Sequence, residues 1–422
     1  MHQIARWNEE RTDRHALGDR PPLPRPVVTA TAATLNPALC KAQRATANPT
    51  CTTMERLDII RERFHAQHLT GSGLDTPEDV VQWLCAVQAQ EIPGAKWAVA
   101  QRMKSGVEAD VDRAYADGTI LRTHVLRPTW HFVLPADIRW MQQLTAPRVH
   151  AFCASYYRQQ ELDDAVLGRC HDVIARALQG GNALTRKELG VRLAEAGIKT
   201  NALRLSFITM HAELEQLICS GPMKGKRYTY MLLDERAPGA KTLPPDEALA
   251  ELTLRFFHSH GPATEKDYRW WSSLKAADAR AGIEMVKDRL VQDVVDGQIY
   301  WWAEGDPAPR PMPGDACLIP EFDESYIAYQ DLRFLLPTPG GKQPGSEIGD
   351  LLRPITIEGQ TLGSWKPAVN NGEIVLSAML FTPPEPEQVA AIEAAAERYG
   401  TYLNRPVTLS VSMTSQKAET LD

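Results

Sequence analysis

Three times between residues 54 and 306 the apolar periodicity of this chain switches from a spacing of three and four to a spacing of two, next to a turn signal. A spacing of three and four marks a helix that buries one face, and alternation marks a strand that buries one face. A segment that carries both, in the order helix, helix, hairpin, must pack its helices against its own hairpin. Repeats of this outline at about 80 to 100 residues imply tandem modules, each with the outline of a winged helix.

The first copy has apolar patterns for helices at 54–68, 77–89, 95–104 and 109–117, the second opened by Thr76-Pro77-Glu78-Asp79 with Thr76 as N-cap and Pro77 at the first helical position. Ile120 to Leu126, a turn at Arg127-Pro128, and Thr129 to Val133 then read as a β-hairpin, with a helix after Pro135. In the second copy Thr185-Arg186-Lys187-Glu188 is a capping box stapled by Leu184 and Leu189, and its helix stops at Gly197. The next helix carries the stripe Leu203, Phe207, Met210, Leu214 and Leu217 and is expected to end at Ser220-Gly221-Pro222, before a basic hairpin at Met223 to Tyr230. The third copy starts at Gly261-Pro262, has Thr264 and Asp267 as a capping pair and a helix over 276–290, and turns its hairpin at Asp296-Gly297.

After a Pro-rich linker at 307–313 the chain reads as strands: 316–319, 326–329, 354–357, 361–366, 373–381 and 407–413, interrupted by one helix at 385–399. The expected fold is therefore α+β. Tandem winged-helix modules occupy 54–145, 146–240 and 241–306, and a C-terminal antiparallel β-barrel-like domain occupies 307–422. Residues 1–53 have no periodic apolar face to bury and are expected to be a disordered extension.

The formal charge of -7 argues against a protein that coats nucleic acid non-specifically, but leaves room for a local basic surface. Seven scattered cysteines without a CxxC pattern read as reduced and structural. No apolar run approaches the roughly 18 to 20 residues of a membrane span, so a soluble, cytoplasmic protein with no membrane partner is expected. A monomer is the expected state, which no sequence feature decides. No phosphate-binding glycine loop, HExxH or cysteine pair supports nucleotide or metal chemistry, so no cofactor and no metal are expected. His65 and His68 read as a solvated helix end, and Glu321, Asp323 and Glu324 as turn residues or arginine partners.

Gln88-Ala89-Gln90 closes the apolar run that begins at Val80, just before Pro93-Gly94. Gln88 continues the helical stripe of Val81, Leu84 and Cys85, so its amide is aimed inward, where an unpaired polar group is costly. Two readings stand. The amides bond loose carbonyls at a helix end, or the chain runs extended there and both amides converge on one spot able to hold a water. Arg122, Arg127 and His131 on the first hairpin are placed either to reach phosphate oxygens or to dock the hairpin on its own domain. Lys224, Lys226 and Arg227 form the densest basic cluster, suited to nucleic-acid backbone contacts or simply solvated.

Arg122-Thr123 with Leu126-Arg127 and Thr129-Trp130-His131, then Ala212-Glu213-Leu214, Ile218-Cys219-Ser220-Gly221-Pro222 and Gly225-Lys226, resemble the winged-helix DNA-binding proteins of the AlkZ-like DNA glycosylase superfamily. Trp270-Trp271-Ser272, Phe322-Asp323-Glu324 with Tyr329, Asp331 and Arg333, and Leu362-Gly363-Ser364-Trp365 continue the similarity in order. The resemblance implies a tandem winged-helix protein with a β-barrel that removes alkylated bases, or unhooks interstrand crosslinks, from damaged double-stranded DNA without a metal. It also implies that the family's Gln-hydrophobic-Gln catalytic signature, Gln-x-Asp in a sister branch, falls on Gln88-Ala89-Gln90. Ala89 is smaller than the apolar residue usual there, and Pro128 stands where Gly is common.

Hydrolysis of an N-glycosidic bond passes through an oxocarbenium-like state, so the site must place a water on the sugar and stabilise positive charge. An amide has no usable pKa and is no general base, so a glutamine pair suits only a leaving group that needs little help. An N3- or N7-alkylated purine is one, because it is already cationic and departs neutral. Glu91 reads as a solvated helix end rather than a base. The expected function is a DNA glycosylase acting on alkylated purines or bulky and crosslinked bases. The alternative is a non-catalytic winged-helix DNA-binding protein, a regulator or an architectural factor.

Overall fold

Local capping chemistry starts several of the helices. Thr76 Oγ1 accepts the Asp79 N–H at 3.1 Å and Asp79 Oδ2 accepts the Thr76 N–H at 3.1 Å, the reciprocal pair that satisfies two free donors at a helix start. The computed structural model describes residues 54–304, 314–330, 353–370 and 372–413; the extension at 1–53, the linker at 307–313, Asp331, Arg333 and Asn371 lie outside the described residues.

The first described segment runs α1 (Arg56–Ala66), α2 (Pro77–Leu84), β1 (Val87–Gln88), α3 (Ile92–Gln101), α4 (Glu108–Asp117), β2 (Leu121–Val125) and β3 (Arg127–Val133). The helix expected over 77–89 ends at Leu84. Cys85 has φ +67°, which turns the chain out of the helix, and the next residues hydrogen-bond to β3 in a sheet of order β1-β3-β2. The hairpin turns at Leu126, φ +63°, one residue before the expected Arg127-Pro128. The Leu126 N–H is satisfied by Thr145 Oγ1 at 3.1 Å, and a register shift at His124/Val125 lets the strand pair resume with Pro128 inside β3.

The chain continues through α5 (Ile138–Gln159), which passes residue 145 without a break, and α6 (Asp164–Leu178). Next come β4 (Leu184–Thr185), α7 (Arg186–Glu195), α8 (Ala202–Leu214), β5 (Ile218–Lys224) and β6 (Arg227–Leu232), with sheet order β4-β6-β5. The α8 helix stops at Leu214, short of the expected Ser220-Gly221-Pro222, because Gln216 at φ +61° breaks it and the buried Ile218 and Cys219 enter the sheet. After α9 (Leu233–Arg236), α10 (Pro245–His260), α11 (Glu265–Ser272) and α12 (Ala276–Val286), the hairpin β7 (Leu290–Val295) and β8 (Gln298–Ala303) turns on Asp296 and Gly297, φ +51° and +75°. Positive φ at both central residues is what this two-residue turn needs and what Asp-Gly tolerates.

The C-terminal part corrects the barrel expectation. It holds β9 (Ala316–Leu318), α13 (Glu324–Ile327), β10 (Pro354–Ile357), β11 (Gln360–Asn370), β12 (Glu373–Leu380), α14 (Pro386–Leu403) and β13 (Val407–Met413). The sheet, ordered β13-β12-β11-β10-β9, is open and mixed. The 18-residue α14 carries the chain across, so β13 lies parallel to β12, which a tight antiparallel turn could not arrange. The strand expected at 326–329 is α13 instead, its N-cap Asp323 accepting the Ser325 N–H at 2.9 Å.

Two apolar cores bracket the Gln88 region. One joins Val87 and Ala89 with Trp97, Phe132, Leu318, Trp365, Leu376 and Ile392. The other joins Cys85 and Ala86 with Leu121, Ile138, Phe256, Trp271 and Tyr329. Burial on both sides fixes the path of the short β1 segment, which has only two paired residues of its own.

Candidate active site

The Gln88-Ala89-Gln90 stretch is held by partners on every residue. Pairing of Val87 with Phe132 and of Gln88 with His131 sets its first residue in β1 beside β3, and just past that strand Ala89 N–H donates to the Trp130 carbonyl at 2.7 Å. Gln88, 8% exposed, donates its backbone N–H to Glu324 Oε1 at 2.8 Å, and its side-chain Oε1 accepts from Arg127 Nη2 at 3.1 Å. Arg127 also donates to the Ile327 carbonyl at 3.2 Å. The Ala89 carbonyl accepts from Arg122 Nε at 2.9 Å. Gln90 is half-buried, and its Oε1 accepts the Trp130 N–H at 3.3 Å. Both amide oxygens are thus anchored on β3, and each carbonyl retains a second lone pair.

Behind this stretch lies a buried charged layer. Glu324 accepts from Trp271 Nε1 at 2.9 Å, and His260 Nε2 stands 3.6 Å from its Oε2. Burial pushes the Glu324 carboxyl up, but the hydrogen bond with His260 and the charge of Arg127 outweigh it and hold the group well below the usual carboxylate range. It is a fixed anion that orients Gln88 and cannot take up a proton near neutral pH. The neighbouring Asp323 receives both ends of the Arg102 guanidinium, each at 2.8 Å. Arg102 further donates to Gln67 Oε1 at 2.9 Å, and Gln67 donates to Tyr329 Oη at 3.0 Å.

Arg122 and His131 are buried and Arg127 is half-buried, so all three sit inside the hairpin's contacts rather than standing out from its tip. The Arg122 guanidinium lies 4.3 Å from the Trp130 ring and 5.2 Å from the Tyr228 ring, while its backbone N–H donates to Ser220 Oγ at 2.7 Å. The second hairpin is in this way tied to the motif. The Trp130 indole reaches Glu213 Oε1 at 3.3 Å, and Glu213 also pairs with His124. Lys226 and Arg227 are exposed beside Gly225, φ +63°, and Lys224 Nζ is bonded to Glu188 Oε1 at 2.8 Å.

Other candidates are placed plainly. Glu91 caps α3, its Oε2 accepting the Gly94 N–H at 2.6 Å. His68 Nδ1 lies 3.1 Å from the Ser72 carbonyl, and among the described residues no third ligating side chain joins it and His65. Asp323 is an arginine partner, as expected for that acidic run, whereas Glu324 belongs to the Gln88 clamp. A cavity of about 390 Å³ lined by Asp137, Trp140, Lys241, Glu251, Arg255 and others does not include the Gln88 region.

His131 makes the clamp sensitive to acid. Burial, helped by the Arg127 charge, lowers its pKa from 6.5 to about 3, so the folded imidazole stays neutral while an unfolded one would protonate below about pH 6.5. A depressed folded value means that this stability is present above pH 6.5 and lost as pH falls, at up to about 1.4 kcal/mol per pH unit. The melting temperature is expected to fall from pH 7 to pH 5, and less steeply in His131→Gln. Scanning calorimetry across that range checks it, and equal slopes in the two proteins would contradict it.

The family model described as DNA glycosylase AlkZ-like matches residues 81–402. The interstrand DNA cross-link repair glycosylase of Streptomyces sahachiroi is 25% identical over 364 residues, spanning 80% of this chain and 94% of that protein. The solved structure of the Streptomyces sahachiroi DNA glycosylase AlkZ has a TM-score of 0.68 to this fold at 22% identity, covering 85% of this chain and 100% of that one. With a family match over most of its length and a similar fold, this chain belongs to the AlkZ-like family of DNA glycosylases.

Proposed function

We propose that this DNA glycosylase removes alkylated purines, or bulky and crosslinked base adducts, from damaged double-stranded DNA, and that Gln88 and Gln90 are its catalytic amides. The clamp carries this reading: separate groups fix Gln88, Ala89 and Gln90, so two neutral dipoles are preorganised without being mobile. One amide oxygen accepts a hydrogen bond from the attacking water, and the other faces the sugar. Water oxygen bonds to C1′, the N-glycosyl bond breaks with its electron pair going to the cationic purine, and the water proton leaves to solvent. A leaving group that departs neutral needs no Lewis acid and no strong base.

In this reading the three helix–hairpin segments are winged-helix modules acting as a monomer. Arg122, Arg127 and His131 hold the motif at the DNA face, and Lys224, Lys226 and Arg227 contact phosphates. Incubating the protein with DNA that carries N7- or N3-alkylpurines, or an interstrand crosslink, should yield abasic sites. Binding to such DNA with no abasic product would support the non-catalytic DNA-binding alternative.

Reversing charge at Lys224, Lys226 and Arg227 to Glu should weaken binding to all duplexes alike. It should also flatten the salt dependence by up to roughly 0.9 in logarithmic slope for each phosphate no longer neutralised. Lys224 is expected to contribute least, because Glu188 already partners it. Unchanged affinity and salt slope in the triple variant would remove this hairpin from the DNA interface.

A further inference from the structure

We propose that His150, His211 and Glu215 form a binding site for a divalent transition-metal ion of the zinc type, fastening α5 to α8. This goes beyond the glycosylase reading and does not rest on it. One ligating atom from each residue lies within 4.8 Å of those of the other two. His211 and Glu215, four residues apart at the end of α8, share a helix face, and α5 brings His150 against them.

Each imidazole has its Nδ1 engaged by a neighbouring side chain. His150 Nδ1 lies 3.0 Å from Tyr157 Oη, while its buried Nε2 faces Glu215 Oε1 at 3.1 Å. His211 Nδ1 lies 3.2 Å from Nε2 of His171 on α6. In the tautomers that donate from both Nδ1 atoms, each ring keeps an unprotonated Nε2. A metal-bound histidine characteristically has its other nitrogen engaged in this way by an orienting partner. The 3.1 Å between His150 Nε2 and Glu215 Oε1 is close to the ligand–ligand edge, roughly 3.3 Å, of a zinc tetrahedron with bonds of about 2.0–2.1 Å.

Two further observations favour a cation of this class. Glu215 is the C-cap of α8, so the negative end of the helix dipole faces the site. Two imidazoles and one carboxylate suit zinc better than magnesium or calcium, and the Glu215 side chain, 52% exposed, leaves room for a water as fourth ligand. The same helix carries Glu213, which bonds the Trp130 indole, so fastening α8 steadies the back of the first hairpin. The role is structural and leaves the glycosidic chemistry to the amides.

The test uses the full-length protein without a histidine tag, stripped with a chelator and titrated with zinc by calorimetry. One equivalent should bind and raise the melting temperature, and cobalt in its place should give the intense visible bands of a tetrahedral site. Glu215→Ala, which touches no core, should weaken zinc binding at least tenfold with an unchanged metal-free melting temperature. Tyr157→Phe should weaken it by roughly 10- to 100-fold. If His211→Ala folds, it should bind no zinc. Absence of a saturable equivalent, undiminished affinity in Glu215→Ala, or equal binding of magnesium would overturn the proposal.

Discussion

Gln88→Ala and Gln90→Ala are each expected to lower base excision by about tenfold or more, and by as much as about 10²–10³, while duplex affinity changes little. The reason is that a fixed dipole acts on charge that develops only in the transition state, so its loss appears in the chemical step. The two variants differ in their structural cost. Gln88→Ala leaves Arg127 Nη2 without the acceptor it holds at 3.1 Å beside a buried carboxylate, so some loss of stability accompanies the rate loss. Gln90→Ala removes only a 3.3 Å bond to the Trp130 N–H from a half-buried side chain, worth about 1 kcal/mol or less. It is therefore the cleaner test. Single-turnover excision and thermal melting on both proteins decide the matter. Wild-type rates in both would reject the assignment, and a Gln90→Ala protein that loses rate only in proportion to stability would make the motif a structural one.

What the sequence made legible follows from how local each signal is. The capping boxes at Thr76, Thr185 and Thr264 involve residues three apart, and all three form as read. The Asp296-Gly297 turn is likewise local. The end of α2 was not legible, because the stripe of Val81, Leu84 and Cys85 continues to Gln88 without a break. What ends the helix is the positive φ of Cys85 and pairing with a strand some forty residues on. Alternation located the C-terminal strands except at 326–329, which is α13, and not their closure, which depends on α14 returning the chain parallel to β12. Within the candidate site, Glu324 meets Gln88 across 236 residues of sequence, a distance at which no pattern along the chain points from one to the other. The His211–Glu215 spacing lies on one helix, but its third member, His150, comes from α5, so a search for local metal motifs passes over it.

Arg102→Ala is expected to cost about 3–5 kcal/mol of stability, the range for removing one partner of a buried ion pair. Both side chains are almost fully excluded from solvent, 1% and 0% exposed, and the guanidinium grips Asp323 through two bonds of 2.8 Å. Removing it strands a buried carboxylate and also frees Gln67, whose backbone and side-chain oxygens both accept from Arg102 at 2.9 Å. The consequence reaches the candidate site by one covalent step. Asp323 caps α13, and the next residue, Glu324, holds the Gln88 backbone N–H. Loss of the pair should therefore lower excision together with the melting temperature, while Gln88 and Gln90 remain in place in the sequence. A double-mutant cycle separates the interaction from the desolvation left behind. Arg102→Ala combined with Asp323→Ala should be less destabilised than the sum of the single variants by roughly 2 kcal/mol or more, because the second change removes the charge that the first left unpaired. Additive losses in chemical denaturation would show that the two groups do not depend on each other, and would detach this ion pair from the support of the Gln88 clamp.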